Sequence, residues 1–314
     1  MSIRYFNQTK EWSDFWQLAN PGKGHKVLYF ENQDLATYIY QYPLILGTFF
    51  WYIPRGFIVK NSSNFQIQAE QLLAKIIQSA KENNIIYLKF DIEQEFHFLF
   101  NESQKSEKKL QYLKTSILDV TEIGFEENIQ QFWKTNKNWF ETNFDKRTRY
   151  GTRKALDSNW QIRLEKSNEN FEAFYKLHSD TAKRQKFGYH QKNYLEKLFD
   201  QGISRIIILR DELGEAQAGW LGISLGNNMT NLYGGNSLIS RDKYGQYLLH
   251  LVALQICAQE NLSGYDLGGL EEGKGFDLFK QGYKGNTREF IGPFDIILKP
   301  KLYSIYNYLR KLKS

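Results

Sequence analysis

Residues 204–269 read SRIIILRDELGEAQAGWLGISLGNNMTNLYGGNSLISRDKYGQYLLHLVALQICAQENLSGYDLGG, and this stretch decides the fold. SRIIILR, AQAGWLGISLG and MTNLYGG are runs rich in β-branched and aromatic residues, separated by the turn sequences DELGE and GNN, so they predict a three-strand meander. Tyr244 to Glu260 then carries apolar residues at helical spacing and predicts a helix, after which GYDLGG predicts a further strand. Two helical patterns, Phe171 to Lys186 and Lys192 to Asp200, precede the meander.

The same order occurs earlier in the chain. Glu11 to Ala19 has Trp12, Phe15, Trp16 and Ala19 on one helical face; KVLYFE, LATYIYQYPLIL and FFWYIPRG read as strands; Gln66 to Lys81 reads as a helix; and IIYLKFDIE as a strand. A meander, a crossing helix and another strand is the core order of the N-acetyltransferase fold. The chain is therefore expected to be α/β (α+β), a tandem of two such domains.

The glycine-rich run after GYDLGG is the stretch best suited to chemistry. Gly268 to Gly275, GGLEEGKG, comes close to a phosphate-cradling loop, but Gly275 stands where a hydroxyl would hold magnesium, and Glu271 and Glu272 would repel a triphosphate. Gly222 to Gly226, GISLG, fits the nucleophile-elbow spacing, yet it leads into a strand instead of a helix, so Ser224 is read as a strand residue. Lys280 follows Phe279 within one helical turn, with Phe276 and Tyr283 expected to join Phe279 in the core. That places a cation at the rim of a glycine-lined opening, with glycine amides expected to face a substrate.

Composition sets the outer limits. The 314 residues are 41% hydrophobic and 16% aromatic, enough for two cores, and 41 Lys+Arg against 35 Asp+Glu give a mild +6 that permits a polyanionic partner. There is no apolar run of membrane-spanning length and no export signal in MSIRYFNQTKEW, so a cytoplasmic protein is expected. Cys257 is the single cysteine and sits in a helical pattern, and the five histidines have no ligand spacing, so neither a metal nor another cofactor is expected. Lys134 to Lys154 holds Lys134, Lys137, Lys146, Arg147, Arg149, Arg153 and Lys154 against Glu141 and Asp145; it reads either as a solvated helix face or as a phosphate-contacting track. The terminal stretch Lys299 to Lys313 alternates cations with apolar residues and reads as a helix that packs on the first domain or touches a membrane surface.

With GYDLGGLEE, FDLFKQGYKG and REFIG in that order, the chain resembles the Fem family of non-ribosomal peptidyltransferases. FNQTKEWSDFW, YIPRG, LKFDIE, TSILDVT, DKRTRYGTRKAL, TAKRQKFGYH and LYGGNS extend the resemblance over nearly the whole chain. It implies two acetyltransferase-like domains, residues 1–113 completed by 290–314, and residues 114–289, without the helical coiled-coil arm of some relatives. It also implies transfer of an amino acid from aminoacyl-tRNA, as co-substrate, to the stem-peptide amine of a lipid-linked or nucleotide-linked muropeptide. A monomer is expected, with the terminal stretch as the part able to contact the inner membrane face.

Residue by residue, the resemblance implies that Lys280 stabilises charge on the transferring ester beside Phe279, that Tyr233, Tyr194, Arg184 and His190 bind substrate, that Asp91 is a base, and that Arg55 is a basic residue of the substrate loop. The chain departs from the family at Asp14 or Trp16, at His190 and at Asn231, where the family has lysine, arginine and tyrosine; this favours a lipid-linked acceptor. Two other readings compete. One is an acyl-CoA-dependent N-acyltransferase, although Arg241 to Gln246, RDKYGQ, lacks the pyrophosphate-loop spacing. The other is a non-catalytic member that only binds tRNA or precursor.

Overall fold

The structure is a computed structural model that describes residues 5–61, 64–106, 108–273 and 275–312; Lys274 of the glycine-rich run and Lys313 of the terminal stretch lie outside the described residues. The chain forms two compact units, Met1–Leu113 with Glu289–Ser314, and Lys114–Arg288.

The first unit begins with α1 (Lys10–Ala19), whose first turn is capped by the Thr9 hydroxyl accepting from the Trp12 amide. β1 (Lys26–Glu31), β2 (Leu35–Pro43) and β3 (Phe49–Arg55) form the predicted antiparallel meander, with the two-residue β4 (Ile58–Val59) against β2. α2 (Phe65–Glu82) crosses over and β5 (Ile85–Glu93) returns parallel to β3. Ala69, Leu72, Leu73, Ile76 and Ala80 recur on the buried stripe of α2, facing Trp51, Ile53 and Leu88 of the sheet in one core cluster.

The second unit repeats the plan. It opens with β6 (Lys114–Asp119), α3 (Ile129–Thr135), α4 (Lys137–Asn143), α5 (Lys146–Leu156), β7 (Gln161–Arg163), α6 (Asn168–Gln185) and α7 (Lys192–Asp200). β8 (Ser204–Arg210), β9 (Ala216–Leu225) and β10 (Asn228–Asn236) are the second meander. The short α8 (Leu238–Asp242) leads into α9 (Gly245–Gln259), and β11 (Gly264–Gly269) pairs parallel with β10 on one side and antiparallel with β6 on the other. α9 is buried on every side from Tyr247 to Ala258, as its almost continuous apolar sequence requires; Cys257 lies in this core with no exposed surface. Ser224 is a β9 residue, as its context predicted. α10 (Gly275–Gln281) follows the glycine-rich loop.

β12 (Asn286–Ile297) then pairs antiparallel with β5, and α11 (Pro300–Lys311) closes the first unit. Lys89 and Asp295 form a buried ion pair at 2.5 Å, and the Tyr303 hydroxyl donates to the other Asp295 oxygen at 2.6 Å, which fastens α11 to β5 and β12. The fold is the expected mixed α/β acetyltransferase-like tandem, and no coiled-coil arm occurs among the described residues. The sequence reading missed β12 and β6, and it treated residues 134–154 as one segment where the chain makes parts of three helices. Asn136 separates the first two by bonding the Phe132 and Gly124 carbonyls. Among the described residues no helix is long and apolar enough to cross a membrane, and no cluster of ligands is arranged to hold a metal.

Candidate active site

β10 and β11 stay paired only from Asn228 to Thr230 against Gly264 to Asp266, and then part. β10 remains on β9 through a bulge between Asn231 and Tyr233, while β11 remains on β6 with a register shift between Asp266 and Gly269. Strands that diverge release backbone groups from the ladder, which makes such a split a natural ligand position. Gly268 sits in it at φ +83°, and an added Cβ would lie 3.0 Å from the Asn231 carbonyl oxygen and 3.5 Å from Lys280 Nζ. Glycine is required there both by conformation and by space.

Lys280 is brought to the split by α10. Its Nζ donates to the Gly269 carbonyl at 2.6 Å and lies 5.0 Å from the centre of the Phe276 ring. Burial pulls its pKa down to about 8, with Asp266 and Asp277 opposing the shift. Phe279 packs beneath against Tyr247, His250 and Tyr283 at 5.0–5.3 Å. His250 bonds the Tyr265 hydroxyl at 2.6 Å, and burial together with the Lys280 charge lowers its pKa to about 3, so this imidazole is neutral beside Lys280. Two expectations change. Phe276 is 37% exposed and leans over the lysine instead of entering the core. The amides of Gly268 and Glu271 are bonded to the Asp266 and Asp277 carboxylates at 2.8 Å, so charge stabilisation here falls to the lysine and not to those amides.

The basic segment holds α10 in place. The Asp145 amide donates to Gly282 O at 2.7 Å, its carboxylate caps α5 at the Thr148 amide, and Arg147 donates to the Leu278 carbonyl. Arg149 donates to the carbonyls of Phe144 and Glu141. Of the cations read as either a solvated face or a phosphate track, Arg147 is thus spent on α10 and Arg149 on the turn between α4 and α5, while Lys146, Arg153 and Lys154 are exposed.

On β10, Tyr233 meets the rings of His178 and His190 at 5.5 and 5.8 Å, and His190 stacks on Tyr194 at 4.0 Å. Arg184 donates to Asn236 O at 2.7 Å at the end of the same strand. Gly235 makes this possible: a Cβ there would stand 2.4 Å from the backbone of Leu177, so only glycine lets α6 approach β10 closely. Tyr233, His190 and Tyr194 are thus brought into ring contact, and Arg184 lies three residues further along β10, at Asn236.

The FemAB family model matches residues 1–209 and 210–311. The chain belongs to the FemAB family. It is an aminoacyltransferase of that family. Its fold is similar to the crystal structure of FemX (18% identity, 96% of this chain and 94% of that one, TM-score 0.73). It is also similar to L-PGS from Bacillus licheniformis (13%, 94% and 94%, 0.54) and to a tandem GNAT protein from the clavulanic acid biosynthesis pathway (10%, 91% and 91%, 0.51). No curated protein sequence matches it.

In this FemAB protein the first unit holds the other two predicted residues, and it occupies them with each other. Asp91 is 3% exposed; one oxygen accepts from the Tyr52 hydroxyl at 2.9 Å and the Arg55 amide at 3.2 Å, and the other lies 3.2 Å from Arg55 Nη1. Arg55, at φ +62°, also donates to Tyr112 O and stacks its guanidinium 3.7 Å from the Phe290 ring centre. A carboxylate with both oxygens engaged this way organises the YIPRG turn. Sequence reasoning missed His178 and His250, both buried on apolar helix faces; the only signal for His178 was its place in the periodic set Phe171, Phe174, Leu177.

Proposed function

We propose that this aminoacyltransferase moves an amino acid from aminoacyl-tRNA to the stem-peptide amine of a peptidoglycan precursor, with a lipid-linked muropeptide as the acceptor. The observation that carries the reading is Lys280, held through Gly269 at the β10/β11 split with its charge poorly solvated. The acceptor nitrogen attacks the ester carbonyl, the N–C bond forms, and the oxyanion develops beside Nζ; the carbonyl then re-forms as the C–O bond to the ribose breaks, and the ribose oxygen leaves with the proton that the nitrogen gives up. The ester is already activated, so alignment and charge stabilisation suffice and no side-chain nucleophile is needed. A poorly solvated cation serves this purpose better than one in water, because the field it exerts is less screened.

The acyl-CoA reading is disfavoured by the start of α9. Ser240 of α8 lies so close that a Cβ on Gly245 would be 2.3 Å from its hydroxyl, and Tyr244 enters the helix at φ +57° without a side-chain cap, so this end does not resemble a glycine cradle for pyrophosphate. A charged-tRNA donor implies action in the cytoplasm. The test is incubation with a radiolabelled aminoacyl-tRNA mixture and, separately, lipid II, nucleotide-linked muropeptide and phosphatidylglycerol. Label in lipid II supports the proposal; label only in phosphatidylglycerol replaces its acceptor, and label transfer from acetyl-CoA in its place removes it.

A further inference from the structure

His178 is 3% exposed and stacks on Phe174 at an interplanar angle of 7°. Its Nδ1 lies 2.9 Å from the Gly234 carbonyl, a bond that puts the proton on Nδ1 and leaves a lone pair on Nε2. That Nε2 is buried and has no hydrogen-bond partner among the described residues. A buried acceptor without a donor costs about 1–3 kcal/mol. Around the imidazole stand Tyr233, Tyr189 and Phe187, their ring centres 5.5, 6.1 and 6.1 Å from its own and their planes at 65°, 90° and 52° to it. Phe187 and Tyr189 are 45% and 39% exposed, so large apolar rings are kept at the surface beside a buried polar atom.

We propose that this ring box is a primary-ammonium site, in which His178 Nε2 accepts a hydrogen bond from the ammonium group and Tyr233, Tyr189 and Phe187 face its charge. An anion would meet a lone pair, and a neutral apolar group would leave Nε2 without a donor. A nucleobase needs parallel ring faces to stack against. Here Tyr233 and Tyr189 stand edge-on to His178 and Phe187 is tilted to it, and the parallel pairs, His178 on Phe174 at 7° and His190 on Tyr194 at 14°, are closed on themselves at 5.6 and 4.0 Å. Burial holds the His178 pKa below its ordinary value, which keeps the acceptor lone pair available at neutral pH. Only the identity of the amine rests on the proposed function: it is either the stem-peptide amine or the α-ammonium of the transferred residue.

The test is NMR of the full chain labelled with ¹⁵N-histidine, titrated with Nα-acetyl-lysine amide, alaninamide and, as a neutral control, Nα,Nε-diacetyl-lysine amide. The expected result is a saturable Nε2 shift with an ammonium probe and none with the control. The lysine probe marks the acceptor amine and alaninamide the α-ammonium. Tyr233→Leu should weaken that binding by roughly threefold to thirtyfold, the range of a ring–cation contact, and it retains the His178 signal as a check on folding. No shift with either amine, or an equal shift with the neutral control, overturns the site. A saturable shift in a protein that transfers nothing from aminoacyl-tRNA keeps the site and removes the transfer reading; transfer without any shift does the reverse.

A separate observation concerns α11. Its inward face carries Tyr303 and Tyr306, which pack on Tyr87 at 5.0 and 6.2 Å. Its outward face carries Ile305, Tyr308, Leu309 and Leu312, exposed by 47, 65, 39 and 67%, at the spacing of one helical stripe. PKLYSIYNYLRK contains no acid, and Lys299, Lys301, Arg310 and Lys311 accompany the stripe. We infer that α11 docks on an anionic lipid surface, the partner that matches an apolar stripe flanked by cations. The full chain should sediment with phosphatidylglycerol-containing vesicles, less so as salt rises, and not with pure phosphatidylcholine. Ile305→Ser, Leu309→Ser and Leu312→Ser together should abolish binding without lowering the melting temperature. Equal sedimentation of variant and parent, or a dimer in light scattering that the triple variant dissociates, overturns the inference.

Discussion

Lys280→Met tests whether the charge at the strand split serves catalysis at the expense of stability. Methionine keeps much of the side-chain volume and deletes the cation. The lysine pKa falls from 10.5 to about 8 through burial. Because the folded pKa lies below the unfolded one, the unfolded chain holds more protons between about 8 and 10.5, and wild-type stability rises with pH across that window. At neutral pH the buried charge therefore costs the fold up to ~3 kcal/mol, from ~1.36 kcal/mol per pKa unit. Methionine removes that cost but leaves the Gly269 carbonyl without its donor, a loss of about 1–3 kcal/mol. The net is a variant that melts at or somewhat above the wild type at pH 7 and lacks its rise in stability above pH 8. Transfer, by contrast, should slow by roughly a hundredfold to a thousandfold, the effect of removing one oxyanion stabiliser. Thermal melts from pH 7 to 10 and single-turnover transfer measure the two sides. A variant that melts clearly below wild type, or that transfers at the wild-type rate, would show that the Lys280 charge does not trade stability for catalysis.

Other perturbations separate scaffold from site. Asp91→Asn should lower the melting temperature through its partnership with Arg55, while the folded protein keeps transfer within about tenfold; an unchanged melt with a much larger rate loss, of the ~10²–10⁴ scale typical of a lost proton acceptor, would restore it as a base. Asp295→Ala strands Lys89 in the first unit and should destabilise by about 3–5 kcal/mol in urea unfolding, whereas a change under ~1 kcal/mol would deny the pair its role in holding α11. If tRNA tracks along α5, Lys146→Ala, Arg153→Ala and Lys154→Ala together should reduce the slope of log affinity against log salt by roughly two to three, at ~0.7–0.9 per phosphate contact; an unchanged slope returns these cations to a solvated face.

The sequence pattern is sufficient for α2, α7 and β8, which fall within a residue of where it puts them: each of the two helices buries one face, and β8 is an almost continuous buried run. β12 was harder to see because its Gly292 and Pro293 interrupt the alternation that marks a strand, and its partner β5 lies about two hundred residues away in the chain. The site was legible only where a motif carried it. FDLFKQGY located Lys280, but no local pattern shows that Phe276 covers the lysine or that Arg147 donates to Leu278 O, since both follow from how α10 meets its neighbours. Asp91 illustrates the opposite case, a motif residue whose chemistry is absorbed by a contact with Arg55 that the YIPRG sequence does not reveal.

The most direct measurement of the central claim is mass spectrometry of the stem peptide after incubation of the purified chain with lipid II and a mixture of charged tRNAs. The expected result is a mass gain of a single aminoacyl residue on the peptide amine, dependent on the charged tRNA and lost with Lys280→Met. An unmodified stem peptide from a folded sample that acylates an amine from acyl-CoA would contradict it.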